Sequence, residues 1–253
     1  MRYCIIGGPR TGSTWLESLI SQPLQSQKTF VQLAEFFEYS KQYSFKLNKE
    51  NNLTRSQEPA LTNKEELFLN RLTLLRAANI EQPIVMRLFI KPYDFPELDY
   101  SKLVKELQDL NFKFISIRRN IIDRAISWQL ANSTKIMHKS IQEGKIVSHH
   151  QDKEIIENEG NVFNNVLVDI EEFKNLYTWI LQCITIRYPL EIKYNIPIIN
   201  YETLIQDLWL NNIPVGSSNL IKIYTEPYSK FVTNYEELVQ LSNKLNIEYN
   251  YEQ

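Results

Sequence analysis

The chain has 253 residues, 43% hydrophobic and 23% charged, the make-up of a soluble globule that buries its own core without disulfides or a structural metal. Lysine and arginine total 28 against 30 acids, a net charge of −2, so there is no overall basic field to draw nucleic acid or an anionic membrane, and any anion site has to be local. Two separated cysteines, Cys4 and Cys183, and three histidines argue against zinc and suit a reducing compartment.

Arg2–Ile6 is rich in β-branched and aromatic residues and reads as a buried strand. Gly7, Gly8, Pro9, Arg10, Thr11 and Gly12 form a turn-rich loop, and Ser13 and Thr14 open a helix carrying Trp15, Leu16, Leu19 and Ile20. Residues 41–63 are polar and read as a loop. Helices are expected over 65–78, 99–110, 120–132, 162–188, 201–208 and 234–245, and strands over 83–90, 111–117 and 196–200. Residues 133–160 show no core face and read as a polar insertion, lid or disordered loop. Strands alternating with helices predict an α/β fold of three layers, a central parallel sheet flanked by helices, with ligands at the carboxyl ends of the strands. The expected organisation is one domain over 1–253. No apolar run approaches the ~20 residues of a membrane span, and the first strand begins at residue 2, so a cytoplasmic location is expected.

Strand, glycine-rich loop and helix make an anion cradle, because loop and helix N–H groups converge where the helix dipole favours negative charge. Gly7 and Gly12 have the spacing of a P-loop, G-x-x-x-x-G. A nucleotide triphosphatase would follow with Lys and Ser or Thr. Here Ser13 stands in the lysine's place and the cation lies inside the loop, as Arg10. A later strand runs into Arg118-Arg119-Asn120, where an NTPase would often place an acid for Mg²⁺. Arginines there favour an anion over a metal. Ser127 follows Arg119 by eight positions, and an arginine fork with a hydroxyl makes a phosphate clamp if the helix start brings the two together.

Gly8-Pro9-Arg10-Thr11-Gly12-Ser13-Thr14-Trp15-Leu16 resembles the 5′-phosphosulfate loop of sulfotransferases that use 3′-phosphoadenosine 5′-phosphosulfate (PAPS). Arg119 and Ser127 resemble that family's 3′-phosphate motif, with Ile121 where many members have Pro. The run Arg118-Arg119…Ala125-Ile126-Ser127 is similar to the bacterial trehalose branch. The resemblance implies that Gly8, Pro9, Arg10, Thr11, Gly12, Ser13 and Thr14 bind the 5′ end of PAPS and that Arg119 and Ser127 bind its 3′-phosphate. Arg10 is also the cation expected to stabilise the transferring group. Lys230 falls where members often place a basic nucleotide contact, but the family's usual Arg-Lys-Gly triplet is missing there, which favours a solvated lysine over that contact. Tyr201 and Glu202, in a Tyr-Glu-x-Leu echo, read as structural.

Sulfuryl transfer to a hydroxyl needs a base for the acceptor proton. Cytosolic members of the family use a histidine, but VMRLFIKP, residues 85–92, has none, and His138, His149 and His150 all fall in the polar segment. Leu33-Ala34-Glu35-Phe36-Phe37 resembles the stretch carrying the base in the trehalose branch. Phe36 and Phe37 could desolvate Glu35 and raise its pKa. Glu38 competes, and Glu35 as an ordinary surface acid remains open. Arg87 and Lys91 are either anion contacts or surface cations. Phe36, Phe37, Tyr39, Tyr43 and Phe45 are either acceptor-stacking residues or core.

The resulting expectation is an enzyme moving a sulfuryl group from PAPS to a hydroxyl of a carbohydrate or small metabolite, in line and without a metal, releasing 3′-phosphoadenosine 5′-phosphate (PAP). A P-loop kinase or NTPase, and a non-catalytic PAP-binding module, are the alternatives.

Overall fold

The computed structural model describes residues 1–37, 44–56, 64–91, 99–134, 136–142, 145–150, 155–157, 165–216, 220–221 and 227–251. In chain order its elements are β1 (Arg2–Gly7), α1 (Ser13–Ser21), β2 (Val31–Glu35), β3 (Ser44–Leu47), β4 (Leu53–Ser56), α2 (Lys64–Ala77), β5 (Ile84–Phe89), α3 (Tyr100–Asp109) and β6 (Phe112–Arg118). There follow α4 (Ile121–Thr134), β7 (Ile136–Gln142), β8 (Lys145–His150), β9 (Ile155–Glu157), α5 (Ile170–Lys193), β10 (Ile198–Asn200), α6 (Leu204–Leu210), β11 (Leu220–Ile221) and α7 (Tyr235–Tyr251). The chain divides into two compact units, Met1–Arg118 with Ile186–Ser217, and Arg119–Thr185 with Ser218–Gln253.

The first unit is built on a five-stranded sheet in the order β10-β6-β1-β5-β2, every neighbour parallel. All six residues of β1 are buried, which is why its sequence is a continuous apolar run rather than an alternation. Its side chains still divide by face. Cys4 and Ile6 join Leu75, Met86, Val104, Leu107 and Phe114 on one side, with α2 and α3 over them. Tyr3 and Ile5 join Leu16, Leu19, Ile20, Ile117 and Leu204 on the other, under α1 and α6. The α/β expectation holds: a central parallel sheet flanked by helices. Arg2 is the exception to the apolar rule. Its buried guanidinium donates to the carbonyls of Asn79 at 2.6 Å and Leu110 at 3.1 Å, which offsets the cost of taking the charge out of water.

Helix α3 follows its sequence signals closely. Asp99 accepts from the Lys102 amide at 3.1 Å as the N-cap, and Leu103, Val104 and Leu107 form the buried stripe. Residues 41–63 do not read out as one loop. Ser44–Leu47 and Leu53–Ser56 form a hairpin whose turn is held by Asn48 Oδ1, accepting from the amides of Glu50 and Asn52 at 2.9 Å each. Four-residue polar strands carry too little periodicity to show in sequence.

The second unit packs α4, residues 170–185 of α5 and α7 around Ala125, Ile126, Leu130, Phe173, Tyr177, Ile180 and Leu238. Its described strands form an antiparallel sheet, β11-β7-β8-β9. Residues 136–142, 145–150 and 155–157, within the expected polar loop, are therefore strands. Helix α5 begins at Ile170, where Asp169 caps it by accepting from the Glu172 amide at 2.7 Å, and not at 162. Val166 is drawn instead into a bridge with Val232.

Candidate functional site

The cradle grows from the end of the central strand. Thr11 closes the loop on Gly8, its hydroxyl donating to the Gly8 carbonyl at 2.8 Å. A Cβ at Gly7 would lie 3.0 Å from Thr11 Oγ1 and 3.1 Å from Ile117 Cγ2, so any side chain there would have to push these two neighbours aside by a few tenths of an ångström. Arg10 takes φ 62° and Gly12 φ 88°, two left-handed residues that turn the chain into α1. No side chain caps α1 at Gly12, and its first turn carries no acid. The first amides of a helix have no carbonyl four residues back, so this terminus presents donors and a positive dipole end. Thr11 and Ser13 are buried; Pro9, Arg10, Gly12 and Thr14 are half-buried along the loop. Backbone and hydroxyl donors with one arginine suit an oxyanion.

Arg87 enters from the neighbouring strand β5. Its Nη1 donates to Thr14 Oγ1 at 2.7 Å, its Nε lies 3.1 Å from Glu17 Oε2, and its guanidinium sits 5.6 Å from the Phe89 ring centroid. The side chain is only 11% exposed, so it is not the surface cation that the sequence left open. Glu17 is buried, and that burial raises its carboxyl above the usual range, against the opposing pull of Arg87 and of hydrogen bonds with Gln32 and the Ala34 amide.

Glu35 ends β2, with its backbone in register opposite Arg87. A bulge between Gln32 and Ala34, where Ala34 takes φ 50°, sets that register. Phe36 and Phe37 are core residues, stacked edge-on to each other at 5.2 Å, with Phe45 against Phe36 at 4.9 Å. Glu38, Tyr39 and Tyr43 lie outside the described residues. Lys91 follows β5, its amide and carbonyl both bonded to the Tyr100 hydroxyl.

The two adjacent arginines part company. Arg118 forms an ion pair with the buried carboxylate of Glu191, which also takes the Ser116 hydroxyl and the Arg187 guanidinium. Arg119 begins the second unit. Its Nη2 donates to the Tyr228 hydroxyl at 3.2 Å, and its guanidinium lies 5.8 Å from that ring's centroid. Asn120 caps α4 by accepting from the Ile122 amide at 2.9 Å, so Ser127 stands under two turns into the helix, buried beside Arg124. Lys230 is exposed on the short 3₁₀ turn Tyr228–Lys230 that supplies Arg119's partner. Sequence reasoning missed Tyr228, Glu17 and Glu191. The Arg187-to-Glu191 helix spacing was the one local signal for the last. Tyr201, read as structural, packs its ring on Gly12 and sits edge-on to Trp15 at 5.7 Å.

Among the described residues, no group of three or more His, Cys, Asp or Glu could hold a metal ion. Nor is any described helix long and apolar enough to cross a membrane. A family model described as a sulfotransferase domain matches residues 2–210, from β1 through α6, a span that includes the cradle, Arg119 and Ser127 but not Lys230. Comparisons with curated proteins and with solved structures found no match.

Proposed function

The chain belongs to the sulfotransferase family, and from that membership we propose that it moves a sulfuryl group from PAPS to a hydroxyl of a carbohydrate or small metabolite, by in-line transfer without a metal, in the manner of the trehalose branch. The observation that carries this reading is the cradle. A left-handed Gly12 opens an uncapped helix with no acid in its first turn, and Arg10 stands in the loop where a triphosphatase would carry its lysine one position after Gly12. We take residues 1–253 as one such domain, with 133–160 as a polar insertion, working in the cytoplasm.

In this reading Gly8, Pro9, Thr11, Gly12, Ser13 and Thr14 hold the 5′-phosphosulfate, and Arg10 meets the charge on the sulfuryl oxygens and the departing phosphate. Arg119 and Ser127 hold the 3′-phosphate, with Lys230 nearby in sequence to Tyr228. The acceptor oxygen attacks sulfur, the bond from sulfur to the phosphate oxygen breaks, PAP leaves with that bond pair, and Glu35 takes the acceptor proton. The register that sets Glu35 opposite Arg87, whose guanidinium reaches Thr14 on the cradle helix, supports its choice as base.

The test is calorimetric titration with PAP and with ADP in EDTA, on the wild type and on Arg119→Ala. The expected result is PAP binding at least about tenfold tighter than ADP, with the margin lost in the mutant, as a charge-assisted phosphate contact requires. Binding of ATP only with Mg²⁺, and no preference for PAP, overturns the reading in favour of a kinase. If PAP binds but no hydroxyl acceptor yields product, the chain is a binding module. Where product forms, Glu35→Gln lowers kcat about 10²- to 10⁴-fold.

A further inference from the structure

We propose that Glu17 and Arg87 are positioning residues that turn the Thr14 hydroxyl into a directed donor for the anion in the cradle. The inference rests on the reading of the cradle above.

A threonine hydroxyl has one proton and two acceptor lone pairs, whereas an arginine guanidinium only donates. The 2.7 Å contact from Arg87 Nη1 therefore occupies a lone pair of Thr14 Oγ1 and leaves the hydroxyl's own proton to point elsewhere. Helical threonines commonly return that proton to a carbonyl three or four residues back. Thr14 does not: its contact with Arg87 is its one side-chain hydrogen bond among the described residues. The proton is uncommitted, on the second residue of a helix that opens at the anion cradle.

Arg87 holds this posture because it is gripped at its other edge. Glu17 stands one turn after Thr14 on the same face of α1, and its carboxylate pairs with Arg87 Nε at 3.1 Å. The planar guanidinium thus spans two residues of one helix, one contact fixing the other. Donation into Thr14 Oγ1 also polarises its O–H bond, which strengthens the bond that hydroxyl gives to an anion. Lysine cannot reproduce the posture, because a single ammonium lacks the rigid fork.

The test is a double-mutant cycle on PAP affinity, with each variant's melting curve taken to confirm folding. Thr14→Val keeps the branched shape and removes the hydroxyl. It weakens PAP about tenfold, the loss expected for one hydrogen bond to a charged group, and Thr14→Ser restores it. Glu17→Gln and Arg87→Lys each weaken PAP in the wild-type background. Neither weakens it further on top of Thr14→Val, because the relay then has nothing to orient. Equal losses in both backgrounds, or no loss from either variant, overturn the proposal. If the wild type binds Mg·ATP or pyrophosphate instead of PAP, the PAPS reading fails while the same cycle, run on that ligand, decides the relay. Binding to none of the three overturns both.

Discussion

Tyr201 closes over Gly12. A Cβ built on Gly12 would come within 2.2 Å of Tyr201 Cδ2, and the ring cannot retreat easily because Trp15 meets it edge-on and its own amide is tied to the Arg118 carbonyl at 2.8 Å. Glycine is thus required at this position twice over, once for φ 88° and once for space. Gly12→Ala is expected to lower stability by about 2 kcal/mol or more in urea denaturation and to abolish PAP binding. Adding Tyr201→Ala should recover the steric share and leave the backbone share. Full recovery would mean that the left-handed turn costs alanine nothing.

Glu191 collects three partners in the core, Ser116, Arg118 and Arg187. Glu191→Gln keeps the shape and removes the negative charge that Arg118 and Arg187 share. The expected cost is about 3 kcal/mol, in line with breaking a buried pair from one side. The urea midpoint should fall while the slope stays constant. A change under about 0.5 kcal/mol would show that water reaches the pair and screens it.

Tyr228 gives Arg119 both a ring face and a hydroxyl. Tyr228→Phe removes only the hydroxyl, so the affinity for PAP should fall about two- to fivefold, clearly less than in Arg119→Ala. If Tyr228→Phe equals Arg119→Ala, the hydroxyl itself binds the phosphate. If it changes nothing, the ring alone holds the arginine.

Cys4 and Cys183 are buried cysteines outside any disulfide, and burial pushes the Cys4 thiol well above its usual pKa. A raised pKa leaves less thiolate at any given pH, and thiolate is the reacting form. Cys4 should therefore resist iodoacetamide at pH 8 in the native protein, and Cys183 should resist it through burial; both should then react along the urea transition. Fast labelling of either in native buffer would place it at a local opening rather than in the core.

The parts of the molecule legible in sequence were those whose signals are local. The cradle shows itself because strand, glycines, Arg10 and helix follow one another within twenty residues. Helix α3 shows itself through its cap and stripe. Arg118 and Arg119, by contrast, are neighbours with different fates, and nothing nearby announces it: the acid that claims Arg118 arrives at position 191, the tyrosine that meets Arg119 at position 228. Arg87 stayed ambiguous for the same reason, since its contact on Thr14 lies 73 residues away. The hairpin at 44–56 was lost to short polar strands, and the start of α5 to a long-range bridge between Val166 and Val232.

The central place of β1 has a consequence for how the protein is made. Strand β1 lacks both of its sheet neighbours until residues 84–89 and 112–116 have been synthesised. The glycine loop is thus written well before the strands that anchor it. Sheets closed by such distant segments assemble slowly, and the nascent apolar run Tyr3–Ile6 stays exposed meanwhile. A chain stalled before residue 112 carries the whole cradle sequence yet lacks one of the two strands that flank β1, and its exposed apolar strand makes it a substrate for chaperones.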